Sequence, residues 1–415
     1  MKNDELLSVR GKADLIRLFW LGFIMYTLGY FLSITSGAVP NMLLIGMQGM
    51  ALLLLVPTTF SLLQRIEGTV YFKLFFTLYF IWLLLVLLRG FRLEFSFIQR
   101  ILLNPFEGAL YVFVPLCALF TKSTFFFKKA FNTITFFGVV FIVYCLLSIR
   151  LLITSDLGNL EAQAAIEYSA KIFSIPSAFI LLTRKYHSKN VYRIAILTLI
   201  LTLLFSIIRA RRGLVLITSL PILVSMGLYL FNNPDRKGNV IVKFVFILFL
   251  IFFGFIYVVS LQDENYGIFS SLIIRSTDDT RSGVEYYLFQ DMTIRDWVIG
   301  KGIEGSYYYP FADSLFRSGI ETDYLNIILK GGIINLVLVL LILIPAIFKG
   351  IFFSKNTLSR AAGFWILLYV LCLYPTPMTK FTLFYILVWV SVGICYSSKF
   401  RALTDDIIIK HFQKV

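Results

Sequence analysis

The sequence predicts an all-α polytopic membrane protein with about twelve transmembrane helices and one large extracytoplasmic loop before the tenth helix. Three observations lead there. The 415-residue chain is 59% hydrophobic and only 15% charged, with a mean hydropathy of +0.84, outside the range of soluble domains. Apolar runs long enough to cross about 30 Å of hydrocarbon recur from Leu15 nearly to the C-terminus, and in lipid such runs must be helices, because each has to close its own backbone hydrogen bonds. One long polar stretch, Gln262 to Ile320, interrupts them.

The runs place spans at 15–35, 41–63, 70–88, 101–120, 131–154, 172–184, 191–208, 213–231, 240–260, 321–348, 361–375 and 380–396. Lys2, Arg10 and Lys12 precede a first run that is too long for a leader and has no small-residue cleavage site, so it reads as a span and not as a cleavable signal. The sixth is short. It follows "NLEAQAAIEYSAK" (159–171), a helical lead-in at the interface, and Pro176 kinks it. The seventh and eighth flank "SIIRARRGLVL" (206–216). The organisation is therefore a membrane domain of nine spans over 1–260, an extracytoplasmic loop over 261–320, and three further spans with a cytoplasmic tail over 321–415.

Positive charge sets the orientation. With the N-terminus inside, most of the 38 Lys and Arg residues fall in the cytoplasm: Lys122, Lys128 and Lys129, "RKYHSK", "DRKGN", Lys349, Lys355 and Arg360, and both termini. That set is mainly lysine, whereas the cations assigned outside or within spans are mainly arginine. A lysine suffices as an anchor, while a planar guanidinium forks onto phosphate or carboxylate oxygens, so the bias points to recognition; one miscounted span would also produce it. Cys117, Cys145, Cys372 and Cys395 all lie in apolar spans and offer neither a disulfide framework nor a thiolate metal site. The two histidines, His187 and His411, fall on the cytoplasmic side, so external chemistry works without histidine.

The polar insertion, counted on to Asp323, holds nearly half of the 23 acidic residues, interleaved with arginines and with "EYYLF" and "SYYYP". Aromatic faces and carboxylates in that mixture suit a polyhydroxylated ligand; an interfacial aromatic belt reads the same way. Loops of this length are uncommon without function. "GKGIEG" (300–305) follows no strand and opens no phosphate-binding helix, so it is a tight turn and not a nucleotide site. No Asp-x-Asp or histidine cluster calls for a metal. Neither a cofactor nor a nucleic acid partner is expected.

The ordered set "ARRGLVL", "IIRSTDDTRSG", "VIGKGIEGSYY" and "ETDYLNIILKGGIINLVLVLLILI" resembles the C-terminal half of the O-antigen polymerase and ligase superfamily, over about residues 205–345. The first half of the chain is similar in architecture only. Ligases of that superfamily carry a loop histidine close to where "ETDYLN" stands; here Asp323 occupies the region, which favours the Wzy-type polymerases. The resemblance implies transfer of a growing O-antigen or capsule glycan from undecaprenyl pyrophosphate to the non-reducing end of a lipid-linked repeat unit. The reaction takes place on the outer face of the bacterial cytoplasmic (inner) membrane, with a chain-length regulator and a flippase as partners. The alternatives are an O-antigen ligase acting on lipid A-core, and a lipid-linked oligosaccharide flippase or transporter. A transporter normally has repeated halves, which are not visible here, and a flippase needs no large external loop.

Such a reaction needs cations for the leaving pyrophosphate and an acceptor for the hydroxyl proton. Arg209, Arg211 and Arg212 precede a helix starting near Gly213, whose free N–H groups add positive charge, and together they would form a pyrophosphate seat. Arg275, Arg281 and Arg317 would close over it. Snorkelling anchors are the alternative. Arg89, Arg92 and Arg100 in "RGFRLEFSFIQR" would hold the second lipid carrier, or meet lipid phosphates from an amphipathic surface helix. For the proton, Asp323 and Glu321 open the tenth span. Asn326 and Lys330 follow Asp323 on one face, a polar stripe about two turns deep. Acidic capping of the helix explains Asp323 equally. Asp278 and Asp279, between Arg275 and Arg281, are the rival carboxylates.

Overall fold

The computed structural model describes residues 12–35, 39–66, 68–120, 122–154, 159–209, 211–231, 280–311 and 315–414. Of these, 78% are helical and 2% are in strands. Seven helices among them are long and apolar enough to cross a membrane. The ninth predicted span, 240–260, and most of the first part of the predicted loop lie outside the described residues. The chain forms two compact units, Met1–Thr133 with Arg281–Val415, and Ile134–Thr280.

In the first unit α1 (Ala13–Thr35) and α2 (Asn41–Leu62) form a close antiparallel pair, with Gly22 and Gly29 of α1 against Ala51, Leu55 and Gln48 of α2. α3 (Val70–Leu88) starts where the Thr69 side chain accepts from the Phe72 N–H at 3.4 Å. Its aromatic face stacks on a later helix, Phe72 on Tyr396 and Tyr79 on Trp389 with ring centroids 4.1 and 5.5 Å apart.

The fourth predicted span is not one helix. α4 (Phe95–Leu103) ends at Asn104, a turn follows, and a 3₁₀ helix runs over Leu110–Leu119. Pro105 disfavours the helical conformation of the residue before it, and the Asn104 side chain takes over the N–H groups of Phe106 (2.9 Å) and Glu107 (3.0 Å). The carbonyls of Leu102 and Leu103, freed by the break, accept from Tyr26 Oη and Gln48 Nε2, each at 2.9 Å. α5 (Thr124–Leu147) starts earlier than the fifth predicted span because the Ser123 hydroxyl accepts from the Phe126 N–H at 3.2 Å.

The second unit holds α6 (Ile149–Thr154), α7 (Leu160–Ser169), α8 (Ser177–Leu182), α9 (Lys189–Ile208) and α10 (Arg212–Phe231). The predicted lead-in is helical, α7, opened by Asn159, whose side chain accepts from the Ala162 N–H at 2.9 Å, but it does not stop at an interface: with the sixth span it makes one apolar stretch long enough to cross a membrane, Ala162–Leu182. Pro176 acts as expected on the sixth span: the turn ahead of it, Ala170–Ser174, widens to a π-helix, and the chain regains α geometry at α8.

Back in the first unit, residues 280–320 contain α11 (Thr280–Asp291), α12 (Ile294–Ile299) and a two-stranded antiparallel hairpin, β1 (Tyr307–Tyr308) with β2 (Phe316–Arg317). Val284, Leu288, Met292, Tyr307 and Ile320 pack on Leu325, Ile328 and Leu329 of α13 (Asp323–Phe352), which gives this segment an apolar core of its own. α14 (Thr357–Cys372) and α15 (Leu383–Tyr396) follow, apolar but shorter than the seven helices long enough to cross a membrane. Between them Pro375 and Pro377 keep 374–382 out of helix. α16 (Ser398–Arg401) and α17 (Asp405–Lys414) end the chain; Asp405 accepts from the N–H and hydroxyl of Thr357 at 2.7 and 2.8 Å.

α13 is broken at Gly332, where φ is 72° and ψ is 179°. A Cβ there would stand 2.1 Å from the Val298 carbonyl oxygen. Gly332→Ala is therefore expected to destabilise the protein by about 2–4 kcal/mol, the left-handed penalty plus the overlap. Gly46→Ala, in α2 with nothing within 4 Å of the added methyl, should stabilise it by up to about 1 kcal/mol. Thermal unfolding of the two variants in the same detergent measures both, and equal midpoints would mean that α13 is continuous.

Candidate functional site

Asp323, Asn326 and Lys330 lie three and four residues apart on α13, so their side chains follow one another down one face. Each binds the backbone of a different non-helical segment. Asp323 is 1% exposed, and its Oδ2 accepts from the Met378 N–H (2.8 Å), the Thr379 N–H (2.8 Å) and the Thr379 hydroxyl (2.7 Å). The Asn326 amide pairs with both backbone groups of Ile320, accepting at 2.8 Å and donating at 2.5 Å. Lys330 Nζ donates to the Ile303 carbonyl at 2.7 Å.

The break at Gly332 leaves carbonyl groups without helical partners, and they are taken up in sequence. Leu329 accepts from the Lys301 N–H at 2.8 Å, Lys330 from the Gly302 N–H at 2.9 Å, and Gly331 from Trp82 Nε1 at 2.8 Å. The turn that supplies two of these donors is "GKGIEG". Gly300 and Gly302 have φ of 74° and 87°, and a Cβ at Gly300 would come within 2.5 Å of the Lys330 carbonyl, so glycine is what lets this turn reach the helix. The Ile303 N–H then donates to the Val86 carbonyl at 3.0 Å, tying the turn to the end of α3. A further bond, from the Phe381 N–H to the Pro105 carbonyl at 3.0 Å, joins the break at 104–109 to the segment 374–382. Three non-helical segments thus surround the first turns of α13.

Charge collects at the same place. Arg100 forms an ion pair with Glu304, and Lys330 lies within electrostatic reach of Lys380, Glu304, Arg100 and Glu107. Lys301 pairs with Asp291. Arg89 donates to the Gly300 carbonyl at 3.2 Å with its guanidinium 5.5 Å from the Trp82 ring centre; burial, and then the positive charge of Arg295, lower its pKa. Farther out on the hairpin, Arg317 lies over the Tyr309 ring at 5.7 Å and 4.0 Å from Glu321, which is half-exposed. Burial pushes the Tyr307 hydroxyl up to about 12, with Arg317 acting against it and Tyr309 and Glu321 adding to it.

Of the residues singled out in the sequence, the structure therefore brings Arg89, Arg100 and Asp323 to one end of α13, with Arg317 and Glu321 on its hairpin. Arg92 is exposed beyond α3. Arg275, Asp278 and Asp279 lie outside the described residues; Arg281 is in the first turn of α11, and its side chain is outside them too. Within the second unit Arg209 has a different task from the one expected. It is 1% exposed, and Nε and Nη2 donate to the carbonyls of Leu152 (2.9 Å) and Leu151 (2.5 Å), tying down the end of α6. Arg211 stands 3.3 Å from Glu167, which also binds Lys171 at 2.7 Å, and Arg212 opens α10.

Glu304, Glu107, Lys380 and Glu167 were not singled out, nor was Glu285, which accepts from the Thr322 hydroxyl at 2.7 Å just before α13. Each is a lone charge in a stretch that reads as a turn, a span or a surface lead-in. One signal was present: Asn104, Pro105 and Glu107 sit inside a run assigned to lipid, where two polar residues around a proline mark a break. Protein-family models, curated proteins and solved structures all fail to match this chain.

The bonds of Asp323 separate two roles. As a tie for 378–379, Asp323→Asn can set its one oxygen where Oδ2 takes all three bonds, but that oxygen no longer carries the carboxylate charge, so stability should fall by about 1–3 kcal/mol. Hydrogen exchange at the Met378 and Thr379 amides should accelerate with it. Unchanged exchange and midpoint, with turnover lost, would return Asp323 to the role of proton acceptor.

Proposed function

We propose that this protein is a polysaccharide polymerase of the bacterial cytoplasmic membrane. It transfers a growing O-antigen or capsule glycan from undecaprenyl pyrophosphate to the non-reducing end of a lipid-linked repeat unit on the outer face. A twelve-span topology with both termini in the cytoplasm belongs to the same proposal. Beyond the resemblance of its motifs, one observation supports the reading: Arg100, Lys330 and Lys380, with Glu304 and Glu107, gather around the break in an otherwise apolar helix. Non-helical backbone and ionisable side chains at the end of membrane helices accompany sites for charged substrates.

In the reaction the acceptor hydroxyl oxygen bonds to the anomeric carbon of the growing chain as the bond from that carbon to the pyrophosphate oxygen breaks. The pyrophosphate leaves with the electron pair, and the hydroxyl proton passes to a carboxylate or to water. Fixed cations in a low dielectric stabilise the charge that develops on the leaving group. Lys330 has three N–H donors, of which one goes to the Ile303 carbonyl. Arg100, oriented by Glu304, supplies a planar fork. For the proton, Glu321 is the accessible one of the two carboxylates that open α13, since Asp323 is buried under three donors.

Purified protein in lipid nanodiscs, given lipid-linked repeat units and no nucleotide sugar, should build a ladder of lengthened products. Lys330→Met removes a charged donor worth about 1.5–3 kcal/mol, so the rate should fall about ten- to a hundredfold at matched folding. Transfer to lipid A-core alone would make the protein a ligase, and movement of label across vesicles without lengthening would make it a carrier; either result ends the polymerase reading.

A further inference from the structure

The tyrosine-rich runs "EYYLF" and "SYYYP" meet in space across α12 and the glycine turn. Tyr287 of α11 stands edge to face with Tyr309 and Phe311 of the hairpin, ring centroids 5.6 and 6.1 Å away at 83° and 77°. Tyr309 meets Phe311 in the same way, at 5.7 Å and 69°, and Tyr286 extends the group, 5.5 Å from Tyr287 at 81°. These rings are not stacked on one another, so none is closed off by a parallel neighbour. Tyr287 and Tyr309 rest half-buried on the apolar core that joins this segment to α13, which holds the group in place. Its outer side is open, with Tyr286 exposed and Phe311 76% exposed.

Polar groups edge this surface. Arg317 lies over Tyr309 at 5.7 Å, and its 4.0 Å contact with Glu321 is too long for a hydrogen bond, which leaves guanidinium donors for a ligand. Gln290 donates to the Tyr286 hydroxyl at 2.6 Å, so that phenol keeps its own proton to give outward. Exposed mid-helix positions that suit hydrocarbon, such as Leu74, Leu78 and Ile81 of α3, are aliphatic and uncharged. A sugar ring, with an apolar C–H face and a rim of hydroxyls, matches rigid aromatic faces edged by hydrogen-bonding groups. We propose that Tyr286, Tyr287, Tyr309 and Phe311, edged by Arg317, form a saccharide subsite that holds the growing glycan between transfers. The assignment rests on the polymerase reading, in which this segment faces the glycan. Through Arg317 the rings adjoin Glu321, the carboxylate assigned to the acceptor proton, so they meet sugars close to the reacting bond. A chain gripped there stays with the protein while the spent carrier is exchanged.

Two measurements separate the subsite from that reading. The first needs no turnover: full-length protein in nanodiscs is titrated with the surface polysaccharide of the bacterium that makes it. Phe311→Ala and Phe311→Leu should each weaken binding about two- to tenfold, the worth of one aromatic contact, while Phe311→Tyr keeps wild-type affinity. Phe316→Ala, exposed on the opposite face of the same hairpin, should keep it too. In the second, lipid-linked repeat units are supplied, and Phe311→Ala should give shorter products than wild type at equal consumption of substrate. Wild-type affinity in Phe311→Ala overturns the subsite. So does wild-type affinity in Phe311→Leu, which would mark a merely apolar contact with bilayer or protein, or a matching loss in Phe316→Ala. Wild-type protein that binds no better than empty nanodiscs overturns it as well, and unchanged product lengths overturn the holding role. Ring-dependent binding by a wild type that builds no ladder would end the polymerase reading and leave the subsite; a normal ladder with ring-independent binding would do the reverse.

Discussion

A peptide group that is neither paired nor hydrated costs several kcal/mol in apolar surroundings, and around α13 the carbonyls freed by its break find donors. The helix stops being continuous at Gly332, so the carbonyls of Leu329, Lys330 and Gly331 need donors from elsewhere, and the turn Gly300–Gly305 and the Trp82 indole provide them. That turn, 374–382 and the end of the loop are non-helical and must be paired in their own right. Asp323, Asn326 and Lys330 do this, one side chain per segment. The polar stripe and the break are therefore two halves of one solution. Charge enters an apolar helix because the irregular backbone around it has to be bound.

This explains which features were legible in the sequence. α1, α2, α3 and α9 begin and end within a few residues of the apolar runs, because in a straight helix the hydropathy of the side chains and the pairing of the backbone change at the same place. They part company where the backbone finds partners elsewhere. The run 101–120 is apolar on average, yet Tyr26 and Gln48 from two other helices take the carbonyls freed at Asn104. The pair Gly331-Gly332 is likewise silent in a hydropathy sum. The stripe on α13 could be read from spacing alone, and so could the tight turn at "GKGIEG". That the one is bound to the other could not, since nothing local in either segment specifies a partner so far away along the chain.

The arginine bias has a partly structural cause that the sequence hides. Arg209 donates to two consecutive carbonyls near the end of α6, Arg89 to the carbonyl that closes α12, and Arg401 to the Phe353 carbonyl at 2.7 Å, which closes α13. In each case a cation meets the negative end of a helix, where the last carbonyls have no intrahelical donor. A guanidinium does this better than an ammonium because its planar fork reaches two acceptors at once. A positive charge that looks misplaced by the rule for cytoplasmic loops is, at Arg209 and Arg89, serving backbone oxygens, and Arg401, on the side expected to be cytoplasmic, does the same.

What remains once the helix-end ties are set aside is a smaller set of cations whose charge the backbone does not account for. Lys330 gives one donor to a carbonyl and lies near two further cations, Lys380 and Arg100. In a solvated loop such groupings dissipate into water and salt. At the ends of apolar helices they persist only if the fold holds them there, and here it does, through the same glycine turn that repairs the break in α13. The concentration of fixed positive charge around a repaired helix, more than any single arginine, is what makes this end of the molecule the place to look for an anionic, lipid-borne substrate.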